Sequence, residues 1–300
     1  MLRGTLVPLV TPFLGAAIDA DSYADHIERM LAGGVGGLVV GGIVGEGPTL
    51  APAELVRLVR IAVAVANRRV PVIAATGTHC TATTIQATQA AADAGAAAAL
   101  LVTPYYNKPS QEGLFRHVEA VAKACPLPLA LHNVPQRTNI SLAPATLRRL
   151  AELPGLFALL DEDDSPSRSA ALAQVCAERL WRIAPSGQAA FAPGLRAPRA
   201  CLAPLANIDP QLCVSLWEKR LSGRVEEEAR LAAVLVRLQR ALDLAPEPAG
   251  LKYAVSLVNP LFGHLPRLPL TEPDADCAAA IRAALAGLAR AHKCLHSEFM

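Results

Sequence analysis

The residues of this chain best suited to chemistry sit in short polar clusters, each placed directly after an apolar run. Gly45-Glu46 closes GLVVGGIVG, His79-Cys80 lies just past VPVIAATG, and Tyr105-Tyr106-Asn107-Lys108 follows AALLVTP. His132-Asn133 closes PLALHN, four consecutive acids (Asp161, Glu162, Asp163, Asp164) stand behind LFALL, and Ser186-Gly187 follows LWRIAP. A histidine with an ordinary pKa of about 6.5 can give or take a proton near neutrality, which makes His132 a candidate proton carrier. Its other reading is a ring filling a polar slot. The acids, with His132, His79 or Cys80, offer the donor types for a metal acting as Lewis acid. Successive strand residues face opposite sides, however, so four in a row cannot converge on one ion. Acids ahead of Pro166 also suit a helix entry, where the dipole favours negative charge. The expectation is a helix-entry loop, with no metal and no other cofactor.

Positioning these clusters together requires strands whose ends align. Eight short apolar runs recur: LVPLVTPF (6–13), GLVVGGIVG (37–45), VPVIAATG (70–77), AALLVTP (98–104), PLALHNVP (128–135), LFALLDED (156–163), LWRIAPSG (180–187) and ACLAPLAN (200–207). Their apolarity is near-continuous, as in strands buried on both faces of a parallel sheet. Between them, SYADHIERMLAGG, PAELVRLVRIAVAVA and TATTIQATQAAADAG have helical spacing, the first and third ending in Gly. Eight strand–helix alternations predict an α/β fold, a (β/α)8 TIM barrel, whose sites form at the C-terminal ends of the strands. The eighth run carries Pro204, which would remove a ladder donor from an interior strand. After Asn207 the pattern is helical, with a break at Ser222-Gly223 and an acidic first turn at Glu226, Glu227 and Glu228. AGLKYAVSLVN and CAAAIRAALAGLARAH read as two further helices. The division is a barrel over residues 1–223 and a helical extension over 224–300, packed on the barrel rather than forming an independent domain.

Composition excludes several classes of function. Of 300 residues 52% are hydrophobic, enough for one large core. Lys+Arg 28 against Asp+Glu 26 gives a charge of +2, which makes no electrostatic case for nucleic acid or an anionic membrane. An aromatic fraction of 4% also speaks against base stacking. The seven cysteines are scattered without C-x-x-C spacing and read as free thiols in a reducing compartment. The start, MLRGTLVPLVTPF, is interrupted by Pro8, Thr11 and Pro12 and is a poor signal peptide. A soluble cytoplasmic protein is expected.

Four motifs carry a more specific message. TPYYNKPSQEGL (103–114), HNVPQRT (132–138), VPLVTPF (7–13) and GEGPTL (45–50) resemble the dihydrodipicolinate synthase / N-acetylneuraminate lyase family. The likeness covers nearly the whole barrel, and LKYAVSLV (251–258) resembles the family's C-terminal helical region. The YYNxPSQEG and NVPxRT strings point to the dihydrodipicolinate synthase branch. The resemblance implies a Schiff base between a lysine on the sixth strand and pyruvate or another 2-oxo acid. It implies a proton-transfer tyrosine before the NVP motif. It also implies a Thr pair before the GE motif, which grips the carboxylate and passes protons to a second tyrosine from a neighbouring subunit.

Carried over residue by residue, the resemblance breaks at the chemistry. The proton-transfer tyrosine falls on His132, the Thr pair on Ile43 and Val44, and the lysine on Leu160. Leucine cannot form a carbinolamine, and neither aliphatic residue has a hydroxyl to donate. What matches is Tyr106, as the second tyrosine, and Arg137, as the arginine that binds the aldehyde substrate's carboxylate. Gly45 and Glu46 match the turn whose backbone N–H groups would face an anion. Interface packing is the other reading of Tyr106, and a solvated loop position that of Arg137. Of five lysines, 108, 123, 219, 252 and 293, only Lys108 stands near the expected mouth, on a loop where its amine would be solvated. The expectation is a family member without Schiff-base activity, kept as a small-anion binding, regulatory or assembly protein. Its ligand would be a small carboxylate such as a 2-oxo acid, and the resemblance implies a homodimer or homotetramer with Tyr106 at a subunit boundary. The alternative is an active lyase or aldolase on a 2-oxo acid, working without lysine through His132.

Overall fold

The computed structural model describes residues 2–163, 165–175, 179–185 and 198–297. Eight parallel strands close into a barrel: β1 (Gly4–Pro8), β2 (Gly37–Val40), β3 (Val72–Ala75), β4 (Ala98–Val102), β5 (Leu129–Asn133), β6 (Leu156–Asp161), β7 (Trp181–Ala184) and β8 (Ala200–Leu202). Each pairs with its successor, and β8 pairs back onto β1. The eight apolar runs are thus the eight strands of a (β/α)8 barrel. Every strand is shorter than its run, because the polar or Gly-containing end of each run turns into the loop above. The eighth ends at Leu202, and Pro204 opens a short 3-10 turn, Pro204–Asn207, where no ladder donor is needed.

The surrounding helices are α1 (Ala20–Ala32), α2 (Pro52–Ala66), α3 (Thr81–Asp93), α4 (Gln111–Ala124), the one-turn α5 (Pro135–Thr138), α6 (Pro144–Leu150) and α7 (Pro166–Val175). Side-chain caps start several of them, with Asp19 accepting from Ser22 N and Ser110 from Gly113 N. The C-terminal part is α8 (Pro210–Leu221), α9 (Val225–Leu242), α10 (Ala249–Val258) and α11 (Ala275–Ser297). The break between α8 and α9 falls on Ser222-Gly223, with Gly223 at φ +70, a conformation that favours glycine.

Strand residues divide between two apolar layers. Leu6, Val39, Ile73, Leu100, Leu160 and Ile183 fill the barrel interior. Their neighbours in sequence, such as Val7, Leu38, Ala74 and Leu159, face the helices. Asn207 ties the closure of the barrel together. Its Oδ1 accepts from Val10 N (3.2 Å), its Nδ2 donates to Pro8 O and Pro204 O (2.8 Å each), and His26 Nε2 lies 3.0 Å from Oδ1. His26 is fully buried, its Nδ1 has no hydrogen-bond partner, and burial pushes its pKa down to about 4.

Candidate ligand site at the barrel mouth

The tip of β6 shows how one run of residues is sorted by strand alternation. In the ladder Val102, His132, Leu160 and Ile183 stand at one level of β4 to β7, and Asn133 pairs with Asp161 one residue higher. Leu160 has no exposed surface and belongs to the barrel-interior cluster, whose members Val39 and Leu100 form part of the floor of the mouth. The position expected to carry an amine is a buried isobutyl group beneath that floor. Asp161 faces the other way: Arg168 on α7 holds its Oδ2 through Nη2 (2.5 Å) and Nε (3.1 Å), and Asn133 donates to its Oδ1 (3.1 Å). Asn133 in turn accepts from Leu142 N (3.0 Å). Glu162 returns toward the mouth, with Oε1 2.7 Å from His132 Nε2. Asp163 accepts from Ser165 N at the entry to α7, which is the helix-entry role expected of the acids. Asp164 and the Ser186-Gly187 tip lie outside the described residues. Among the described residues no three His, Cys, Asp or Glu side chains are grouped to hold a metal.

At the tip of β2, Ile43 lines the mouth and Val44 is buried. The turn above them, whose N–H groups the sequence suggested would face an anion, uses two of its amides internally. Glu46 N donates to Ile43 O (3.1 Å) and Gly47 N to Gly42 O (3.0 Å), so both amides are spent inside the turn. A Cβ at Gly45 would come within 2.9 Å of Leu9 O, so the residue is required for close backbone packing. The Glu46 carboxylate is also withdrawn from any ligand. Its Oε1 accepts from Lys252 Nζ (2.6 Å) and its Oε2 from Arg267 N (2.8 Å), with both side chains of the ion pair wholly buried. Lys252 donates further to Leu265 O (2.8 Å) and stands over the Phe13 ring, 4.4 Å from its centroid. Burial lowers the pKa of Lys252, and the Glu46 charge opposes that shift. Sequence reasoning assigned Lys252 to the helical tail and missed it; a lone lysine within the apolar LKYAVSLV was the signal.

The remaining residues form the rim. Tyr105 on the loop after β4 lines the cavity, its ring 5.4 Å from that of His79, and burial raises its phenol pKa. Tyr106 is 91% exposed at φ +72, and Lys108 is also exposed, so no lysine among the described residues opens on the mouth. His132 is only 5% exposed, and its Nδ1 makes no hydrogen bond with any described residue. Arg137 on α5 donates through Nη2 to Glu247 Oε2 (2.5 Å), a partner from the α9–α10 loop that the sequence gave no reason to expect. Burial raises the pKa of Glu247, Arg137 lowers it, and the nearby Glu162 charge raises it again.

These residues border a cavity of about 1140 Å³. Its walls are apolar at Val39, Ile43, Leu100, Val134 and Leu202, and polar where His132, Glu162, Arg137 and Glu247 meet. Thr76 and Thr78 also line it, but their hydroxyls are engaged, Thr76 with Thr88 (2.8 Å) and Thr78 with Thr83 (2.7 Å). Such a site can hold a small molecule by an apolar body and a charged head. It has the groups for proton transfer at His132 and lacks an amine for covalent capture.

Comparison with known proteins adds the relationship. The profile of the "Dihydrodipicolinate synthetase family" matches residues 1–287. A 4-hydroxy-tetrahydrodipicolinate synthase of Hyphomonas neptunium is 39% identical over 288 residues, covering 95% of this chain and 98% of the relative. The enzyme of the same name from Rhodospirillum centenum is 37% identical over 287 residues, covering 95% and 98%. Among solved structures, the chloride-inhibited dihydrodipicolinate synthase of Acinetobacter baumannii complexed with pyruvate superimposes with a TM-score of 0.90 at 33% identity, covering 96% of this chain and 99% of that one.

Proposed function

The chain belongs to the dihydrodipicolinate synthetase family, and from that premise we propose that it is a member without lysine imine chemistry, retained as a small-molecule binding, regulatory or assembly protein. The observation that carries this reading is Leu160, wholly buried at the level of His132 on the neighbouring strand. Among the described residues no other lysine lines the mouth: Lys108 is exposed, and Lys252 is engaged by Glu46 and Leu265 behind the β2 turn. A Schiff-base lysine needs a neutral amine within reach of the substrate carbonyl. The ligand reading rests on Arg137, whose Nη1 and Nε bond to no described residue, so that one edge, shared with the second Nη2 hydrogen, is open to a carboxylate. The proposal includes a cytoplasmic location and a homodimer or homotetramer. The exposed Tyr106, an aromatic ring held out at positive φ, supports a subunit boundary there. Among the described residues no helix is long and apolar enough to cross a membrane.

The test is incubation with pyruvate and borohydride followed by intact mass measurement, beside an assay of pyruvate–semialdehyde condensation. The mass stays unchanged and no product forms. A stoichiometric adduct on any lysine rejects the reading. A second reading is favoured by the His132–Glu162 contact of 2.7 Å, which orients the imidazole and leaves Nδ1 for a substrate. It is a lyase or aldolase that moves a proton on a 2-oxo acid without an imine. Turnover of a 2-oxo acid panel, lost in His132→Ala and unaffected by borohydride, would establish it in place of the first.

A further inference from the structure

Around the mouth Arg137 offers one positive charge to a carboxylate, and two carboxylates stand beside it. Glu46 is neutralised by Lys252 and Arg60 lies on the exposed face of α2, so the charges at the inner rim are Arg137, Glu162 and Glu247, with the imidazole of His132. There two carboxylates face one guanidinium. Arg137 already serves Glu247, and Glu162 acts on Glu247 as a like charge across the rim. An added anion would meet this repulsion, whereas an ammonium group between Glu162 and Glu247 would relieve it.

The rest of the cavity selects the body of the ligand. Below the rim the wall is Ile43, Val39, Leu100 and Leu202, and the threonine hydroxyls higher up are taken by one another. A polar body would lose its water there without new hydrogen bonds, while an apolar one gains from burial. His132, nine-tenths buried and with Nδ1 unpartnered among the described residues, stands where apolar wall meets charged rim and can accept from or donate to the ligand head. The cavity of about 1140 Å³ leaves ample room for a side chain of four or five carbons.

We propose that the mouth binds a primary amine with an apolar body, its ammonium held between Glu162 and Glu247 and its body on the Ile43–Leu100–Leu202 wall. An apolar α-amino acid has the further advantage of a carboxylate for the open edge of Arg137. The inference rests on the reading of the mouth as a binding site without imine chemistry.

The probes are leucine, isoamylamine and ketoisocaproate, which share an apolar body and differ in the head. Binding of all three probes is followed by calorimetry in one buffer. Leucine binds, and ketoisocaproate binds at least about 10-fold more weakly. Glu162→Gln and Glu247→Gln each weaken leucine by about 5- to 10-fold and narrow the gap to the keto acid. Circular dichroism establishes that both variants are folded. Isoamylamine binding as tightly as leucine supports the ammonium site and removes Arg137 from it; weaker binding supports both contacts. Ketoisocaproate binding as well as leucine, wild-type affinity in both glutamine variants, or no binding of either amine overturns the proposal. Those outcomes with a negative borohydride test leave the non-imine reading standing, whereas a positive borohydride test removes that reading first.

Discussion

The ends of the barrel strands have two sides, and the sides differ in kind. Behind them, toward the helices, polar groups are buried and mutually saturated: Glu46 with Lys252 and Arg267 N, Asp161 with Arg168 and Asn133. In front, toward the cavity, Ile43 and Val44 line an apolar wall above the buried Leu160, and the polar groups His132, Glu162, Arg137 and Glu247 stand at the rim. Residues 160, 161 and 162 sample both sides within one turn of chain, as floor, strut and rim. A motif can therefore keep the residues that hold a loop in place while losing those that react. Resemblance along the chain reports mostly on the first group.

Removing one partner from the rear wall should have the largest effect on stability. Lys252→Met leaves the Glu46 carboxylate buried without its counter-ion, a loss of about 3–5 kcal/mol in chemical denaturation. Adding Glu46→Gln should restore part of it, because the uncompensated charge is gone. If Lys252→Met costs less than the rim pair discussed below, the contrast between rear wall and mouth fails.

The second expectation concerns pH and the rear wall near β1. His26 has a folded pKa of about 4 against an ordinary value near 6.5. Between those values the unfolded chain binds a proton that the folded chain refuses. The contribution is therefore complete above about pH 6.5 and declines as pH falls, by about 3 kcal/mol on reaching pH 4. Denaturation midpoints followed with pH should fall less steeply in His26→Gln than in the natural chain.

Next comes the front. Leu160→Lys alone should give only very low turnover of pyruvate with the semialdehyde, because His132, Ile43 and Val44 would not supply the proton relay that the family resemblance implies. Ile43→Thr, Val44→Thr and His132→Tyr added to Leu160→Lys should raise turnover at least about 100-fold above the single variant, within the range of general acid–base effects. Strong activity in the single variant would show that the front of the mouth needs only its amine.

The smallest effect belongs to the rim of the scaffold. Arg267 holds Glu54 with both terminal nitrogens (2.7 and 2.6 Å) in a partly exposed pair. Glu54→Gln should cost about 0.5–1 kcal/mol, and added salt should shrink the difference.

The barrel was legible because eight apolar runs and their intervening periodic segments repeat a single physical unit, and the break at Ser222-Gly223 was legible from glycine chemistry. Leu160 was singled out by the family resemblance, and the sixth apolar run placed it at a strand end, where it lies in the barrel interior. The partnerships were not legible. Glu162 meets His132 from 30 residues away, Glu247 meets Arg137 from 110, and Lys252 meets Glu46 from 206. The first pairing depends on the register of neighbouring strands and the other two on where the last helices dock, neither of which a local pattern encodes. Nor did any local pattern show that two amides of the β2 turn, Glu46 N and Gly47 N, are committed to Ile43 and Gly42.

The Glu46–Lys252 contact also bears on when the mouth comes into being. It closes a loop of 206 residues, and Phe13 at the other end of the chain lies under both Lys252 and Arg267, with Arg267 4.2 Å from the ring centroid. Contacts of such high order form late, since the entropy of closing the intervening chain is lost before they return anything. During synthesis the strands and their helices can pair in sequence, but Lys252 leaves the ribosome long after the turn it must fix. The nascent barrel therefore spends most of its translation with the β2 turn unbraced, and the mouth takes its final form only at the end of synthesis.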